Sequence, residues 1–143
     1  MRDNYHGNFT TPAFDYLALS HDATGYTIDL RDYDSCLFIL HVGTVQNANA
    51  NHYFIMSLFA GNLSDMSDEV IVTASNGLLG ENLVLDSESY AQSTATLGYV
   101  GGKRYLRMKA IEQVITGTAQ VHLSAVAVLD HGALQPLNIV GLI

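Results

Sequence analysis

The sequence predicts an all-β chain, an antiparallel β-sandwich of jelly-roll type with an extended N-terminal arm. Three observations predict it. Short runs rich in β-branched and aromatic residues recur along the whole chain. Gly, Asn, Asp and Ser divide these runs at intervals of roughly 8 to 12 residues. No long segment shows the i, i+3, i+4, i+7 apolar stripe of an amphipathic helix.

Residues 1–13 read as the arm, with Pro12 and a polar lead-in set against a regular element. Residues 14–143 read as a single sandwich domain. Phe14–Leu19 is the first strand and Ser20–Gly25 a turn. Tyr26–Arg31 alternates, with Tyr26, Ile28 and Leu30 on one face. After the Asp32–Ser35 turn, Cys36–Val42 is apolar at every position but His41. That run predicts a central strand covered on both sides. Val45–Asn51 is a polar loop expected at the surface. His52–Phe59 is a strong strand whose Phe54, Met56 and Leu58 point one way. Glu69–Thr73 and Asn82–Leu85 are short strands around the Ser75-Asn-Gly77 turn, and Asp86–Ser93 is loop. Thr96–Val100 and Lys103–Ile111 flank Gly101-Gly102, which predicts a two-residue hairpin turn. Leu106, Met108 and Ala110 alternate with Tyr105, Arg107 and Lys109. A second hairpin is expected between Gln113–Ile115 and Gln120–Leu129. In that last strand Val121, Leu123, Ala125, Ala127 and Leu129 share a face.

Composition narrows the function. The 143 residues suffice for one domain with a proper core. Charged residues make up 14%, against about 25% in an ordinary soluble domain. Much of the surface is therefore neutral, either polar or covered by a partner. A net charge of −8 opposes gripping a nucleic-acid backbone. No apolar run approaches the ~18 residues of a membrane span, and Met1–Gly7 has no apolar signal core. Cys36 is the only cysteine. An intrachain disulfide is ruled out, and the residue reads as a small buried hydrophobe.

Signals for chemistry are weak. The six histidines have no close helical spacing, and a single thiol removes the common structural zinc sets. Asp29, Asp32 and Asp34, and likewise Asp65, Asp68 and Glu69, cluster at turns without the frame of an EF-hand loop. Nucleophile elbow, phosphate loop and dinucleotide fingerprint are all missing. No catalytic residue, cofactor or metal is expected. A carbohydrate-binding or hydrolytic sandwich remains as an alternative, with Trp absent and Tyr present eight times.

Two features point to protein contacts. Lys103, Arg104, Arg107 and Lys109 are four of the six basic residues. By strand periodicity Lys103, Tyr105, Arg107 and Lys109 share one side. Both a solvated face and a docking stripe for an acidic neighbour fit this pattern. The second feature is the apolar run from Leu134 to Ile143. Its Leu137, Ile139, Val140, Leu142 and Ile143 predict a buried terminal strand or an intersubunit contact.

The stretch Tyr99-Val-Gly-Gly-Lys-Arg-Tyr-Leu-Arg107, then Thr116-Gly117, the Ala/Val-rich Ser124–Leu129 and Pro136, resembles small virion proteins of tailed bacteriophages. In the N-terminal half the alternating strand, Asp32-Tyr-Asp-Ser35, the apolar strand and Val42-Gly43 follow a similar order. The resemblance spans most of residues 26–136, and the Gly-Lys-Arg-Tyr-Leu-Arg stretch is its distinctive part. Within that group the chain is most like capsid decoration, or cement, proteins. The resemblance implies a β-rich subunit on the capsid exterior, made in the host cytoplasm. It also implies the major capsid protein as partner, commonly a homotrimer, and no catalytic residues. Its motif maps to Lys103, Arg104, Tyr105 and Arg107. A head-to-tail connector or tail-associated component is the alternative within virions.

Overall fold

The computed structural model describes residues 9–130. Eleven strands lie among them: β1 (Phe9–Leu19), β2 (Ala23–Thr24), β3 (Ile28–Asp29), β4 (Ser35–Gln46), β5 (His52–Gly61), β6 (Val70–Ile71), β7 (Leu78–Leu79), β8 (Leu83–Leu85), β9 (Ser93–Tyr99), β10 (Tyr105–Val114) and β11 (Gln120–Asp130). Two single-turn 3-10 helices cover Ala74–Asn76 and Glu88–Tyr90.

The strands form two antiparallel sheets. The first has the order β1-β11-β4-β9-β7. In the second, β10 and β5 are the long central pair, in register over all ten residues from Tyr105↔Gly61 to Val114↔His52. The short strands β2 and β3 line the free side of β10, and β6 and β8 that of β5. The long strands β1, β4, β5, β9, β10 and β11 bring the chain back and forth between the sheets. Only β4 and β5, β9 and β10, and β10 and β11 are joined directly, and each of these connections crosses from one sheet to the other. This is the jelly-roll arrangement.

Period-two patterning builds the core. Phe38, Leu40 and Val42 of β4 and Val121, Leu123, Ala125, Ala127 and Leu129 of β11 face inward. Phe54, Met56 and Leu58 of β5 and Leu106, Met108 and Ala110 of β10 face them. Small residues on β11 make room for large ones beside them. Ala127 pairs with Phe38, and Ala125 sits between Phe14 and Leu40. Such alternation lets the layers interdigitate at native density.

Several sequence expectations change. The strand from Cys36 is central in its sheet but covered on one side only. Cys36, Phe38 and Leu40 are buried, while Leu37 and Ile39 are exposed. An unbroken apolar run thus marks a strand with one apolar face turned outward. The loop expected from Val45 starts later, because β4 continues to Gln46, and Val45 and Ala48 both reach the core. Residues 9–13 belong to β1, and residues 1–8 of the expected arm lie outside the described residues. Pro12 is accommodated because β1 is an edge strand, where a missing N–H costs no ladder bond, and a register shift follows it.

Tyr26–Arg31 is not one strand. The Gly25 N–H donates to the Met108 carbonyl of one sheet, and the Tyr26 N–H donates to the Ala13 carbonyl of the other. A Cβ at Gly25 would lie 2.3 Å from the Ala13 oxygen. The chain bends there, so Ile28 and Leu30 are buried while Tyr26 turns out.

Neither expected hairpin forms. The segments flanking Gly101-Gly102 belong to different sheets, as do those flanking Thr116-Gly117. The cause at the first site is Tyr99. Its ring is buried, and its hydroxyl accepts the Lys103 N–H at 3.1 Å. The chain wraps over that hydroxyl as it crosses. A Cβ at Gly101 would lie 2.4 Å from the hydroxyl oxygen, whereas one at Gly102 would meet nothing within 4 Å. Gly101→Ala is expected to destabilise the fold by roughly 1–3 kcal/mol through overpacking, and Gly102→Ala by less than about 0.5 kcal/mol. Urea denaturation of the two variants checks this; equal effects would contradict the wrapping role of Tyr99.

Candidate interaction surface

The expected basic stripe lies at the start of β10, and the structure supplies its acidic neighbours from within the chain. Tyr105, Arg107 and Lys109 share the outward side of β10, as alternation with buried Leu106, Met108 and Ala110 requires. The Arg107 guanidinium donates to Glu69 at 2.8 Å, and the Lys109 ammonium donates to the other oxygen of the same carboxylate. All three side chains are about a fifth exposed. Lys109 also lies over the Phe59 ring, 4.7 Å from its centroid. Arg104 forms a two-pronged pair with Asp29, both bonds at 3.0 Å, and stacks over Tyr105. The stripe therefore carries much less free charge than its sequence suggests. Lys103 is exposed at its end.

The carboxylate clusters act in the same structural way. Asp68 accepts the N–H groups of Asn62 and Leu63, and Asp65 accepts that of Ser67. These bonds hold Asp65 and Asp68 below the usual carboxylate range. Asp29 is lowered chiefly by its bond from Arg104. Burial pushes Glu69 upward, but the bonds and charges of Arg107 and Lys109 outweigh it, and the net direction is down. No group of three or more His, Cys, Asp or Glu side chains among the described residues could hold a metal ion. No helix among them is long and apolar enough to cross a membrane.

Cys36 is buried, and burial pushes its thiol up to about 12. Such a thiol is a packing group rather than a nucleophile. One buried polar site escaped the sequence reading. His52 accepts the Ala119 N–H at Nδ1, 2.7 Å away, so its ring proton sits on Nε2 and is donated to Glu112 at 2.7 Å. Glu112 also lies 3.5 Å from His21. This pin ties the β10–β11 crossing to the start of β5. Its partners are 60 and 67 residues apart in sequence, and no local pattern announces it.

Among the described residues, several exposed apolar side chains lie together on the outer face of the five-stranded sheet. One transverse row joins Val128, Leu37, Gly98 and Leu79 in register, and the next joins Pro12, Val126, Ile39 and Thr96. Leu37, Ile39, Leu79 and Val126, with Val100 beside them, are between 37% and 56% exposed. A groove of about 340 Å³ there is lined by Leu37, Leu79, Gly98 and Val128, with Ser35 and Asp130. Further along the same strands the face turns polar, with His41, Thr94 and Ser124 aligned. Monomeric proteins rarely leave a contiguous apolar patch without a use for it.

No protein-family model matches this chain, and no curated relative matches it in sequence. Among solved structures it is similar to two of infectious bursal disease virus. That of the Gx strain is 11% identical with a TM-score of 0.46, over 87% of this chain and 32% of the other. That of the VP2 subviral particle is 11% identical with a TM-score of 0.46, over 90% and 33%. This chain spans about a third of the length of those chains. Its fold is read from its own strand order.

Of the expected contact residues, Lys103, Arg104, Tyr105, Arg107 and Lys109 are thus brought together at one end of β10. Leu137, Ile139, Val140, Leu142 and Ile143 lie outside the described residues. Leu37, Ile39 and Val126, the centre of the apolar face, were not singled out from sequence. The signal available was the apolar residue at every second place of β4 and β11 beyond what one core face needs.

The Glu69 carboxylate is ionised more readily in the fold than in the unfolded chain. Its contribution to stability is therefore full above the ordinary carboxyl range and is lost as pH falls through its lowered folded value. Glu69→Gln is expected to lower stability at pH 7 by roughly 1–3 kcal/mol, since it leaves two cations short of a partner. Denaturant titrations should show the gap between wild type and variant closing below about pH 4.

Proposed function

We propose that this chain is a structural subunit of a virus particle, and that it binds the outside of a tailed-phage capsid shell as a decoration protein. The observation that carries the reading is the apolar outer face around Leu37, Ile39 and Val126. A face of this kind is stabilised by meeting another protein surface, at roughly 25 cal/mol for each Å² of apolar area buried.

Other features support it. The sheet edges discourage strand-to-strand association. β7, β6, β2 and β3 are two residues long, and the long edge strand β1 carries Pro12 and two register shifts. Contacts are thereby directed to faces and loops. The basic groups of β10 are mostly spent on Glu69 and Asp29, which leaves Lys103 and Tyr105 as the stripe members we place at a contact. The net charge of −8 keeps such a subunit from competing for the packaged genome. The sequence resemblance over Tyr99–Arg107 points to the same class, to the major capsid protein as partner and to a homotrimer.

The test uses capsids of the virus whose genome encodes the chain. Binding should raise the temperature at which the shells open. Decoration requires on the order of hundreds of copies per particle, whereas a head-to-tail component requires about six or twelve. Ile39→Asp should cut shell occupancy about tenfold, and circular dichroism of the free subunit should still show the β fold, because the side chain lies on the outer face rather than in the core. Shells equally stable with and without the protein would refute the reading.

A further inference from the structure

A cavity of about 310 Å³ lies between β6 and the crossing from β9 to β10, lined by Val70 on one side and by Gly102 and Lys103 on the other. We propose that this cavity binds a carboxylate carried on a short apolar stem, held by Lys103, the Tyr99 hydroxyl and the Asn62 amide. The site goes beyond the shell-binding reading and does not depend on it.

The fold brings these groups together through two backbone bonds. Tyr99 ends β9, and its hydroxyl accepts the Lys103 N–H at 3.1 Å. Asn62 follows the last residue of β5, and its Oδ1 accepts the Arg104 N–H at 3.2 Å. Consecutive residues of the crossing are thus tied to the ends of two strands, one in each sheet, and Lys103 lands at the cavity wall. Ala60 and Val72, each 1% exposed, and the half-exposed Val70 supply its apolar part.

The donors and acceptors of the wall decide what can bind. The Tyr99 side chain is buried, and its oxygen is engaged as an acceptor, but no acceptor among the described residues takes its proton. A buried donor left unpaired is costly, so an acceptor brought there by a ligand is stabilising. Arg104, Arg107 and Lys109 each have an ion pair, whereas Lys103 has none among the described residues. The Arg104 bond fixes the orientation of the Asn62 amide, and its NH2 group has no acceptor among those residues either.

The side-chain acceptors are already in use. Asn62 Oδ1 serves Arg104, and Asn76 Oδ1 accepts the Thr73 N–H at 2.6 Å while its NH2 group donates to the Ile71 carbonyl. Uncommitted donors, one of them charged, therefore stand beside apolar surface. A ligand must bring acceptors, negative charge and an apolar part, and a carboxylate on a carbon stem brings all of them. Phosphate matches less well, because one cation meets its larger charge and the apolar wall is left unused. Asp68 does not fill the role from within the chain. Its oxygens accept the Asn62 and Leu63 N–H groups; the Asn62 bond is the main cause that holds it low and the Lys103 charge the least, and the two side chains form no ion pair.

Nuclear magnetic resonance titration of the full chain tests the site. Butyrate carries the carboxylate on a propyl stem, butyramide has that shape without the charge, and inorganic phosphate has charge without the stem. Butyrate should shift the amide signals of Asn62, Gly102 and Lys103 and the ring signals of Tyr99, and saturate with a Kd on the order of millimolar, as so small a ligand allows. Butyramide and phosphate should bind about tenfold more weakly or worse. Lys103→Met keeps the stem, removes the charge at an exposed position, and should weaken butyrate about tenfold. Tyr99→Phe should weaken it about fivefold. Since that variant also frees the Lys103 N–H, Lys103→Met decides if the two disagree. No shift at about 100 mM butyrate overturns the proposal. Equal binding of butyramide or phosphate overturns it as well, and so does an unchanged Kd in Lys103→Met. A peptide, acetyl-Ala-Glu-Ala-amide, separates the sources of the carboxylate. Binding at least as tight as that of butyrate means an acidic side chain of a partner protein, and weaker binding means a free organic acid.

Discussion

The inward faces of β4 and β11 must be covered by those of β5 and β10, and the rest of the molecule is arranged around that contact. Each of the four strands has one apolar face, and none can bury it within its own sheet. The two sheets therefore pack face to face, with Phe38, Leu40, Leu123 and Ala127 on one side and Phe54, Met56, Leu58 and Met108 on the other. Wherever one of these strands is joined directly to the next, as β4 is to β5 and β10 to β11, the connection passes from one sheet to the other. Those crossings set where the loops lie, and the loops hold the polar ties that lock the sandwich. The His52–Glu112 and Ala119 contacts tie down one crossing, and Tyr99 beneath Gly101 shapes another.

Charge is used sparingly and locally. Most of the basic groups near β10 are engaged by carboxylates that the fold brings to them from positions nearly forty or more than seventy residues away. The Glu69 pairing sits in a half-buried position, where its two cations satisfy the carboxylate's lone pairs and so offset its desolvation. The cations near β10 are thus largely neutralised within the chain, and exposed apolar side chains gather on the outer face of the five-stranded sheet. Beside that face lies a polar band of His41, Thr94 and Ser124 on the same strands.

Legibility in the sequence followed the range of the interactions. The strands of β5, β10 and β11 and their buried faces could be read from period-two alternation, which is a local property of consecutive residues. The turns at Asp32–Ser35 and Ser75–Gly77 could be read from their residue types; Gly77 does adopt a positive φ of 127°. The two hairpins could not. A Gly-Gly pair marks a place where the chain bends tightly, and it carries no information on whether the partner strand is the next one or one fifty residues back. The doubly covered strand from Cys36 failed for a related reason. Leu37 and Ile39 are apolar whether they meet a helix, a second sheet or nothing in the chain.

By itself the sequence determined that the chain is all-β, that β5, β10 and β11 each have a particular buried side, and that Cys36 is a packing residue. These follow from side-chain chemistry at spacings of one to three residues. Only the tertiary structure decided the strand order, the pairing of Arg107 and Lys109 with Glu69, and the outward position of Leu37, Ile39 and Val126. Each of those depends on which distant segment lies alongside, and that is set by how two apolar faces cover one another across the whole domain.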